Sequence, residues 1–293
     1  MFEINDSNSA LQVVHCFIDE DEQEDLCSVV FASMDLCVAG HRGLIKILDV
    51  QTGLLKSVLS GHGGPVYEIA MHATDSDLVF TCSKDESLGL WSLSQNRRVA
   101  IFAGDQGHRD AVLSLDVSDQ WLLSSGMDNT IRLWALDERI HNAVANCRAK
   151  GPDYRAIFVQ FPQFITRRVH SDYVDCARWV GNAIMTKSLE GRLIMWHPDR
   201  SRRPDAVCVL NQYQYKDTGL WFVRFGLDYM RERVAVGGDK GTIYVFDVDS
   251  AQLLQEIAHP LLKSCVRQVA FSDNGKSLVA IADSGEVWTF RQE

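Results

Sequence analysis

The sequence lacks the features of nucleic-acid-binding and membrane proteins. It has 29 Lys and Arg residues against 39 Asp and Glu, a net charge of −10, so it has no basic excess for gripping DNA, and we expect no direct DNA binding. Its apolar runs are far shorter than the roughly 20 residues that cross a bilayer. Residues 1–10 are polar, unlike a signal sequence. We therefore expect an intracellular protein that binds no membrane.

The sequence also lacks the short motifs of enzymes and metal proteins. Its eight cysteines form no Cys-x-x-Cys pair, which argues against a disulfide framework and a zinc site. Neither a Gly-x-Ser-x-Gly elbow nor a phosphate-binding loop is present. We expect a non-enzymatic protein with no catalytic residue, no metal and no cofactor.

Six alternating apolar segments recur along the chain. Each closes on a large apolar residue, at Leu48, Trp91, Trp134, Trp196, Phe246 and Phe290. These positions lie 43 to 62 residues apart, and Gly-His pairs precede two of the units at 61–62 and 107–108. A period near 40–45 residues with such pairs is typical of WD-repeat propellers. We predict an all-β WD40 β-propeller, a single domain over residues 1–293, with six recognisable repeats.

Polar residues inside the repeats have a structural interpretation. Asp85 lies six residues before its closing tryptophan, and in WD repeats a turn Asp at this spacing joins the Gly-His histidine, a strand Ser or Thr and the Trp in a hydrogen-bonded tetrad. His62, Ser83 and Asp85 resemble a catalytic triad in composition. Because the repeat explains all three, we assign them to the tetrad and not to catalysis.

The N-terminus departs from the repeat. Residues 11–17 look like the outermost strand of a blade, but no inner strands precede them, and the last unit lacks an outer strand. One hypothesis is that this orphan strand completes the last unit and closes a six-bladed ring. The alternative is a seven-bladed ring that lacks most of its first blade and leaves edges exposed.

Two further segments interrupt the repeat. Residues 19–25 form an acidic run that we interpret as a solvated loop. The alternative is that this run is a binding site for basic histone tails. An insertion around residues 141–168 is long and contains aromatic residues. Its length and composition predict a functional surface rather than a simple connecting loop.

The insertion and the strand after it carry a specific resemblance. Residues 161–179 read FPQFITRRVHSDYVDCARW, and further characteristic stretches lie at 101–110, 125–128 and 220–225. In this order the segments closely resemble the extra sex combs / embryonic ectoderm development (EED) family, the WD-repeat subunit of Polycomb repressive complex 2. The resemblance runs from about residue 12 to the C-terminus.

The resemblance implies a nuclear, non-catalytic scaffold for transcriptional repression. Members of the family bind an N-terminal helix of the SET-domain histone methyltransferase on one face of a seven-bladed propeller, and assemble with other Polycomb subunits. On the other face, an aromatic cage at the channel mouth reads trimethyl-lysine on the histone H3 tail, and its occupancy stimulates the methyltransferase. Ring faces attract a quaternary ammonium by cation–π interaction, about 0.5–2 kcal/mol per contact.

The family's cage is only partly present in this chain. Its Trp-Tyr pair falls on Trp221 and Phe222, but a second ring position falls on Leu26-Cys27, and the third belongs to the missing blade. Other mouth positions keep the family's residue; they are Lys84, Met127, Tyr173, Asp175, Arg224 and Arg267. We predict that the chain binds the methyltransferase helix but binds trimethyl-lysine weakly or not at all.

Two alternatives remain open from the sequence. The chain could be a WD-repeat adaptor in another complex such as a ubiquitin ligase, because fold alone does not select the partner. It could also be a partial or decayed copy of a longer gene that lacks methyl-lysine reading.

Overall fold

Six antiparallel sheets, arranged as consecutive blades, form the body of the protein. The computed structural model describes residues 2–5, 10–13 and 16–291. Blade 1 contains β3 (Leu26–Ala32), β4 (Asp35–Gly40), β5 (Ile45–Asp49) and β6 (Leu55–Leu59). Blade 2 contains β7 (Val66–Met71), β8 (Leu78–Ser83), β9 (Leu88–Ser92) and β10 (Arg97–Phe102), with the short parallel strand β14 (Ile157–Val159) at its edge. Blade 3 contains β11 (Val112–Val117), β12 (Trp121–Gly126), β13 (Ile131–Ala135) and β15 (Phe164–Thr166).

The second half of the chain follows the same plan. Blade 4 contains β16 (Val174–Val180), β17 (Ala183–Ser188), β18 (Arg192–Pro198) and β19 (Val207–Gln214). Blade 5 contains β20 (Gly226–Leu227), β21 (Arg233–Gly237), β22 (Ile243–Asp247) and β23 (Leu253–Ile257). Blade 6 has three strands, β24 (Val266–Phe271), β25 (Ser277–Ala282) and β26 (Val287–Arg291). The predicted WD40 propeller with six repeats is confirmed.

The insertion between blades 3 and 4 adds a helix to the otherwise all-β fold. α1 (Glu138–Lys150) begins at Asp137, whose side chain accepts hydrogen bonds from the first turn, and ends at Gly151 with a positive φ of 48°. Ile140, Ala143, Val144 and Cys147 are buried at helical spacing, so one face of α1 packs against blade 2. The insertion is therefore a packed element as well as a surface.

Blades 2, 3 and 4 each contain a tetrad of buried, hydrogen-bonded polar side chains. In blade 2, His62 Nδ1 lies 2.9 Å from Asp85 Oδ2, and Thr81 Oγ1 lies 2.7 Å from His62 Nε2 and 2.8 Å from Trp91 Nε1. The strand hydroxyl of this tetrad is Thr81, whereas Ser83 donates to the carbonyl of Gly64. Blades 3 and 4 repeat the arrangement with these residues: His108, Ser124, Asp128 and Trp134, then His170, Thr186, Glu190 and Trp196. Both ring nitrogens of each histidine are hydrogen-bonded within its tetrad. The tetrads therefore have a structural role.

A gap separates blade 6 from blade 1. Five apolar cores lie between consecutive blades from blade 1 to blade 6, and within the described residues none joins blade 6 back to blade 1. Val29 and Phe31 on blade 1 are each 58% exposed on the side of the gap. The gapped ring is the second of the two arrangements that the sequence left open.

The orphan strand does not close the ring by completing blade 6, so that hypothesis is wrong. β2 (Ala10–Val13) pairs instead with β1 (Phe2–Asn5) in a separate two-stranded hairpin, and the remainder of residues 11–17 either forms no strand or lies outside the described residues. The physical reason is local: residues 2–5 are an alternating segment of their own, and a hairpin to a neighbour costs less loop-closure entropy than pairing with a strand near residue 290.

The acidic run is only partly solvated. Asp21 is half-exposed and pairs with Arg42, as expected of a surface loop. Glu24, however, is buried and forms an ion pair with Lys46 of blade 1, and Asp19 binds the same lysine. The run therefore crosses blade 1 rather than extending into solvent.

Candidate binding site at the channel mouth

Four of the residues assigned from the sequence line one cavity at the mouth of the propeller. Trp221, Phe222, Arg224 and Arg267 contribute to a cavity of about 990 Å³. The segment before β20 carries the first three, and Arg267 lies at the start of β24, so the cavity is built where the chain enters the innermost strands. Its blade 1 wall includes Leu26 and Cys27, the position where the resemblance places a missing ring.

A buried charged cluster forms the floor of this cavity. Glu68 of β7 accepts hydrogen bonds from Ser114 Oγ at 2.7 Å and from Arg178 Nη2 at 2.6 Å, and it forms an ion pair with Arg224. Arg224 also donates to the carbonyl of Tyr67 at 3.0 Å. The floor therefore joins blades 2, 3 and 4 to the segment that enters blade 5.

The electrostatics of the floor follow from this pairing. Burial alone would raise the pKa of Glu68, but the guanidinium groups of Arg178 and Arg224 outweigh it and lower the pKa to about 2. Glu68 is therefore ionised throughout the physiological pH range. Its charge offsets part of the positive charge of the two arginines.

Asp175 positions the aromatic wall without facing the cavity. It is fully buried, pairs with Lys187 at 2.9 Å, and accepts hydrogen bonds from the backbone N–H groups of Phe222 at 2.7 Å and Val223 at 3.2 Å. Phe222 has a positive φ of 66°, an uncommon conformation for an aromatic residue. The buried carboxylate fixes this strained turn and so the direction of the ring.

Three aromatic rings meet at the mouth. Phe222 lies edge-on to Tyr67, with ring centres 5.6 Å apart, and edge-on to Trp221 at 5.8 Å. Arg224 places its guanidinium carbon 4.9 Å from the centre of the Phe222 ring. This is the cation–π geometry that a ligand cation would take, and an internal arginine already takes it at Phe222.

Arg267 closes the blade 6 side of the mouth. It pairs with Asp283, at 2.5 and 2.7 Å, and donates to the carbonyl of Trp221 at 2.6 Å. Trp221 keeps 39% of its surface exposed beside this clamp. Arg267 thus holds the backbone of Trp221, whose ring remains accessible to a ligand.

The other three residues assigned from the sequence lie outside the cavity wall. Lys84 is exposed in the turn after β8, Tyr173 is 37% exposed just before β16, and Met127 packs against the core between blades 2 and 3. All three lie on the same face of the propeller as the cavity. They lie around the mouth but do not line the cavity.

Tyr67, Glu68 and Arg178 also line the cavity, and sequence reasoning missed them. The available signal was an acidic residue inside an apolar strand, since Glu68 lies between Tyr67 and Ile69 in β7. A buried carboxylate at such a position requires a cationic partner. The partners, Arg178 and Arg224, come from distant repeats, so only the fold identifies them.

A second groove lies on the opposite face of the propeller. It has a volume of about 820 Å³, and its apolar lining includes Trp121, Leu133, Trp179, Pro198 and Leu210. Trp179 lies at the end of β16, about 13 Å along the strand from Asp175 at the mouth, given a rise of about 3.3 Å per residue. The groove and the mouth are therefore at opposite ends of the same innermost strand.

The described residues were searched for metal-ligand groups and for membrane-spanning helices. Within residues 2–5, 10–13 and 16–291, no group of three or more His, Cys, Asp or Glu side chains is placed to hold a metal ion. In the same ranges no helix is long and apolar enough to cross a membrane.

Comparisons with known proteins agree with this architecture. The WD domain, G-beta repeat family matches residues 53–92 and 98–135. The maize Polycomb group protein FIE1 is 35% identical over 96% of this chain, and the Polycomb protein esc of Drosophila melanogaster is 30% identical over 96%. The chain belongs to the Polycomb-group family of WD-repeat proteins. It spans 64% of the length of maize FIE1 and 72% of the fly protein.

Solved structures support the fold. A chain of the Chaetomium thermophilum Polycomb Repressive Complex 2 bound to GSK126 superimposes with a TM-score of 0.83 at 19% identity, covering 98% of this chain and 86% of that one. At this identity the likeness concerns the propeller, and function rests on the family relationship.

Proposed function

We propose that this Polycomb-group chain is a non-catalytic scaffold and regulatory subunit of a histone H3 lysine methyltransferase complex. It forms one propeller domain over residues 1–293. It is located in the nucleus, where it takes part in transcriptional repression. The observation that carries this proposal is the match to Polycomb relatives over 96% of the chain. The charged groups at the mouth are paired in ways that serve structure, which agrees with catalysis by a partner subunit.

The groove on the face opposite the mouth is the proposed site for the N-terminal helix of the SET-domain methyltransferase. An amphipathic helix binds a groove by inserting apolar side chains at i, i+3, i+4 and i+7. Trp121, Trp179 and Leu210 offer such a surface, and Leu210 is 45% exposed, so it is free to contact a partner. Aromatic anchors of this kind commonly dominate interface energies.

A groove variant tests the partner. Leu210→Arg places a charge in the groove at an exposed position, and Leu254→Arg on the outer strand of blade 5 is the matched control. We expect Leu210→Arg to weaken binding of the methyltransferase N-terminal helical peptide at least tenfold by isothermal titration calorimetry, with the control unchanged. Equal binding by both variants would remove the groove from the proposal, and no binding by the unmodified chain would contradict the partner.

At the mouth, we infer an H3-tail site with little preference for trimethyl-lysine. Arg224 already takes the cation–π position on Phe222, and Leu26 and Cys27 supply no ring on the blade 1 wall. Trp221 offers an exposed ring face and Phe17 lines the gap side of the same cavity, whereas recognition of a quaternary ammonium needs several rings together.

A gain-of-ring variant tests this inference. Cys27→Tyr adds a ring to the wall opposite Trp221, and Cys27→Leu adds volume without an aromatic face. We expect the unmodified chain to bind trimethylated and unmethylated H3 peptides within about threefold of each other, and Cys27→Tyr alone to gain preference for the trimethylated peptide. Micromolar binding by the unmodified chain that vanishes with the unmethylated peptide would refute the inference.

A further inference from the structure

The loop between β18 and β19 of blade 4 carries one serine among three arginines. It covers residues 199–206 and reads DRSRRPDA, with Ser201 beside Arg200, Arg202 and Arg203. The serine and all three arginines are exposed. The arginines outnumber the two aspartates of the loop, in a chain whose net charge is −10. The loop is therefore a small cationic surface on an acidic protein.

The arginines of this loop are largely free to bind a new anion. Arg200 and Arg203 form no ion pair with a carboxylate of the described residues. Arg202 pairs with Asp199 at 3.2 Å, but its side chain keeps 80% of its surface exposed. An exposed pair of this kind contributes about 0–1 kcal/mol, so it opens readily when a stronger anion is near.

The loop also presents the Ser201 hydroxyl in an accessible segment. Ser201 Oγ donates to Asp199 Oδ1 at 2.5 Å on the protein surface. The tip is closed by one long backbone bond, from Arg202 N to Asp199 O at 3.3 Å. Pro204 disfavours a helical conformation at Arg203, so the chain leaves the tip extended. The tip can therefore open into the substrate cleft of another protein while the blade stays intact.

The corresponding loop of blade 5 has the same hydroxyl geometry and the opposite charge. It joins β22 to β23, and Ser250 Oγ donates to Asp247 Oδ1 at 2.6 Å, as Ser201 does to Asp199. Ser250 is exposed as well. No arginine or lysine lies within three positions of it on either side. Ser250 is thus a matched comparison that lacks the cations.

We propose that Ser201 is a phosphorylation site for a protein kinase that selects arginine beside its acceptor. The kinase transfers the γ-phosphoryl group of ATP to Ser201 Oγ, the hydroxyl proton passes to the catalytic carboxylate of the kinase, and ADP leaves. A kinase that selects arginine needs an acidic substrate cleft, and the three loop arginines complement such a cleft in charge. This assignment goes beyond the proposed function and does not depend on it.

The same arginines hold the product. Guanidinium groups bind phosphate through paired, charge-assisted hydrogen bonds, and these are stronger than neutral ones. Three arginines within two positions of Ser201 supply such donors from both sides of the acceptor. The phosphate therefore orders the loop tip, which carries only polar surface contacts in the unmodified chain.

The modified serine lies at the rim of the second groove. Arg200 lines that groove with His197 and Pro198, the residues that lead into the loop. It donates to the carbonyl of Gln163 at 2.9 Å and lies 5.9 Å from the centre of the Phe164 ring. The loop has a formal charge of +1, and a phosphate adds about −1.5 to −2. Phosphorylation therefore reverses the charge of this rim.

Phosphorylation of the intact chain tests the site. The chain is incubated with Mg-ATP and an arginine-directed kinase, and the phosphate is located by mass spectrometry. We expect Ser201 to be modified roughly tenfold faster than Ser250 or more. Joint replacement of Arg202 and Arg203 by Gln should slow the reaction to a similar extent, whereas Lys276→Gln, at an exposed cation of blade 6, should leave it unchanged. Equal rates at the two serines, or a rate that the loop arginines do not affect, would overturn the proposal.

Phosphorus NMR on the phosphorylated chain tests whether the loop holds the product. The second pKa of free phosphoserine is about 6. Because bound cations favour the dianion, we expect the phosphate on Ser201 to titrate about 0.5 pKa units lower or more. Arg203→Gln, phosphorylated to completion by longer incubation, should return the pKa toward 6. An unshifted pKa, or a shift that Arg203→Gln does not reduce, would overturn the assignment of the phosphate to the loop arginines.

Discussion

Replacing Glu68 by Gln tests the charged floor of the mouth. The side chain keeps its size, but the neutral amide no longer offsets Arg178 and Arg224, which are both held in the floor. Leaving buried cations without their carboxylate costs about 3–5 kcal/mol in known cases. We therefore expect Glu68→Gln to destabilise the folded protein strongly at neutral pH.

The pKa of Glu68 gives an independent magnitude. Its fall from the usual 4.5 to about 2, for a residue only 5% exposed, corresponds to about 3 kcal/mol of stabilisation. Because the pKa is lower in the folded state, this contribution is complete above about pH 4.5 and is lost as the pH falls toward 2. The difference in unfolding free energy between the wild type and Glu68→Gln should therefore be about 3 kcal/mol at pH 7 and should shrink toward zero near pH 2.

Urea unfolding followed by tryptophan fluorescence at pH 7, 5, 4 and 3 measures this difference. Glu256→Gln, at an exposed position on β23, is the matched control and should behave like the wild type. A loss below 1 kcal/mol at pH 7, or a difference that stays constant down to pH 3, would refute the account of the floor.

Two further substitutions test the packing of the blades. Thr81→Val removes the hydroxyl that hydrogen-bonds to His62 and Trp91. Because two buried polar groups then lack a partner, we expect the free energy of unfolding in urea to fall by about 3 kcal/mol. A fall below 1 kcal/mol would contradict the tetrad. Gly237→Ala places a Cβ against the backbone oxygen of Val266 in the next blade. We expect this clash to lower the midpoint of thermal unfolding by about 4 °C or more. An unchanged midpoint would show that blades 5 and 6 have room to separate.

Repeat spacing predicted much of the blade interior. The positions of Asp85 and Asp128, six residues before their tryptophans, identified two tetrads, and the same spacing applies to Glu190 before Trp196. This succeeds because each tetrad lies within one repeat, where sequence distance fixes spatial distance. Thr81 was not singled out because a strand contains several hydroxyls and the sequence does not say which one faces the histidine.

The floor of the mouth and the closure of the ring could not be predicted in the same way. Glu68 and Arg178 are 110 residues apart, so their contact depends on how separate blades surround the axis. The N-terminal strand was assigned to the last blade by its pattern, but residues 2–5 supplied a nearer partner. The assignment of Trp221, Phe222, Arg224 and Arg267 to the mouth came from family resemblance, and their role in binding a peptide stays a prediction.

Reconstitution with the methyltransferase subunit of the same organism tests the central claim most directly. The chain and the SET-domain subunit are co-expressed, purified through a tag on the chain, and assayed for methyl transfer to histone H3. We expect a stable complex whose activity exceeds that of the SET-domain subunit alone, with no activity from the chain by itself. Failure to co-purify, or equal activity with and without the chain, would contradict its role as a Polycomb-type scaffold.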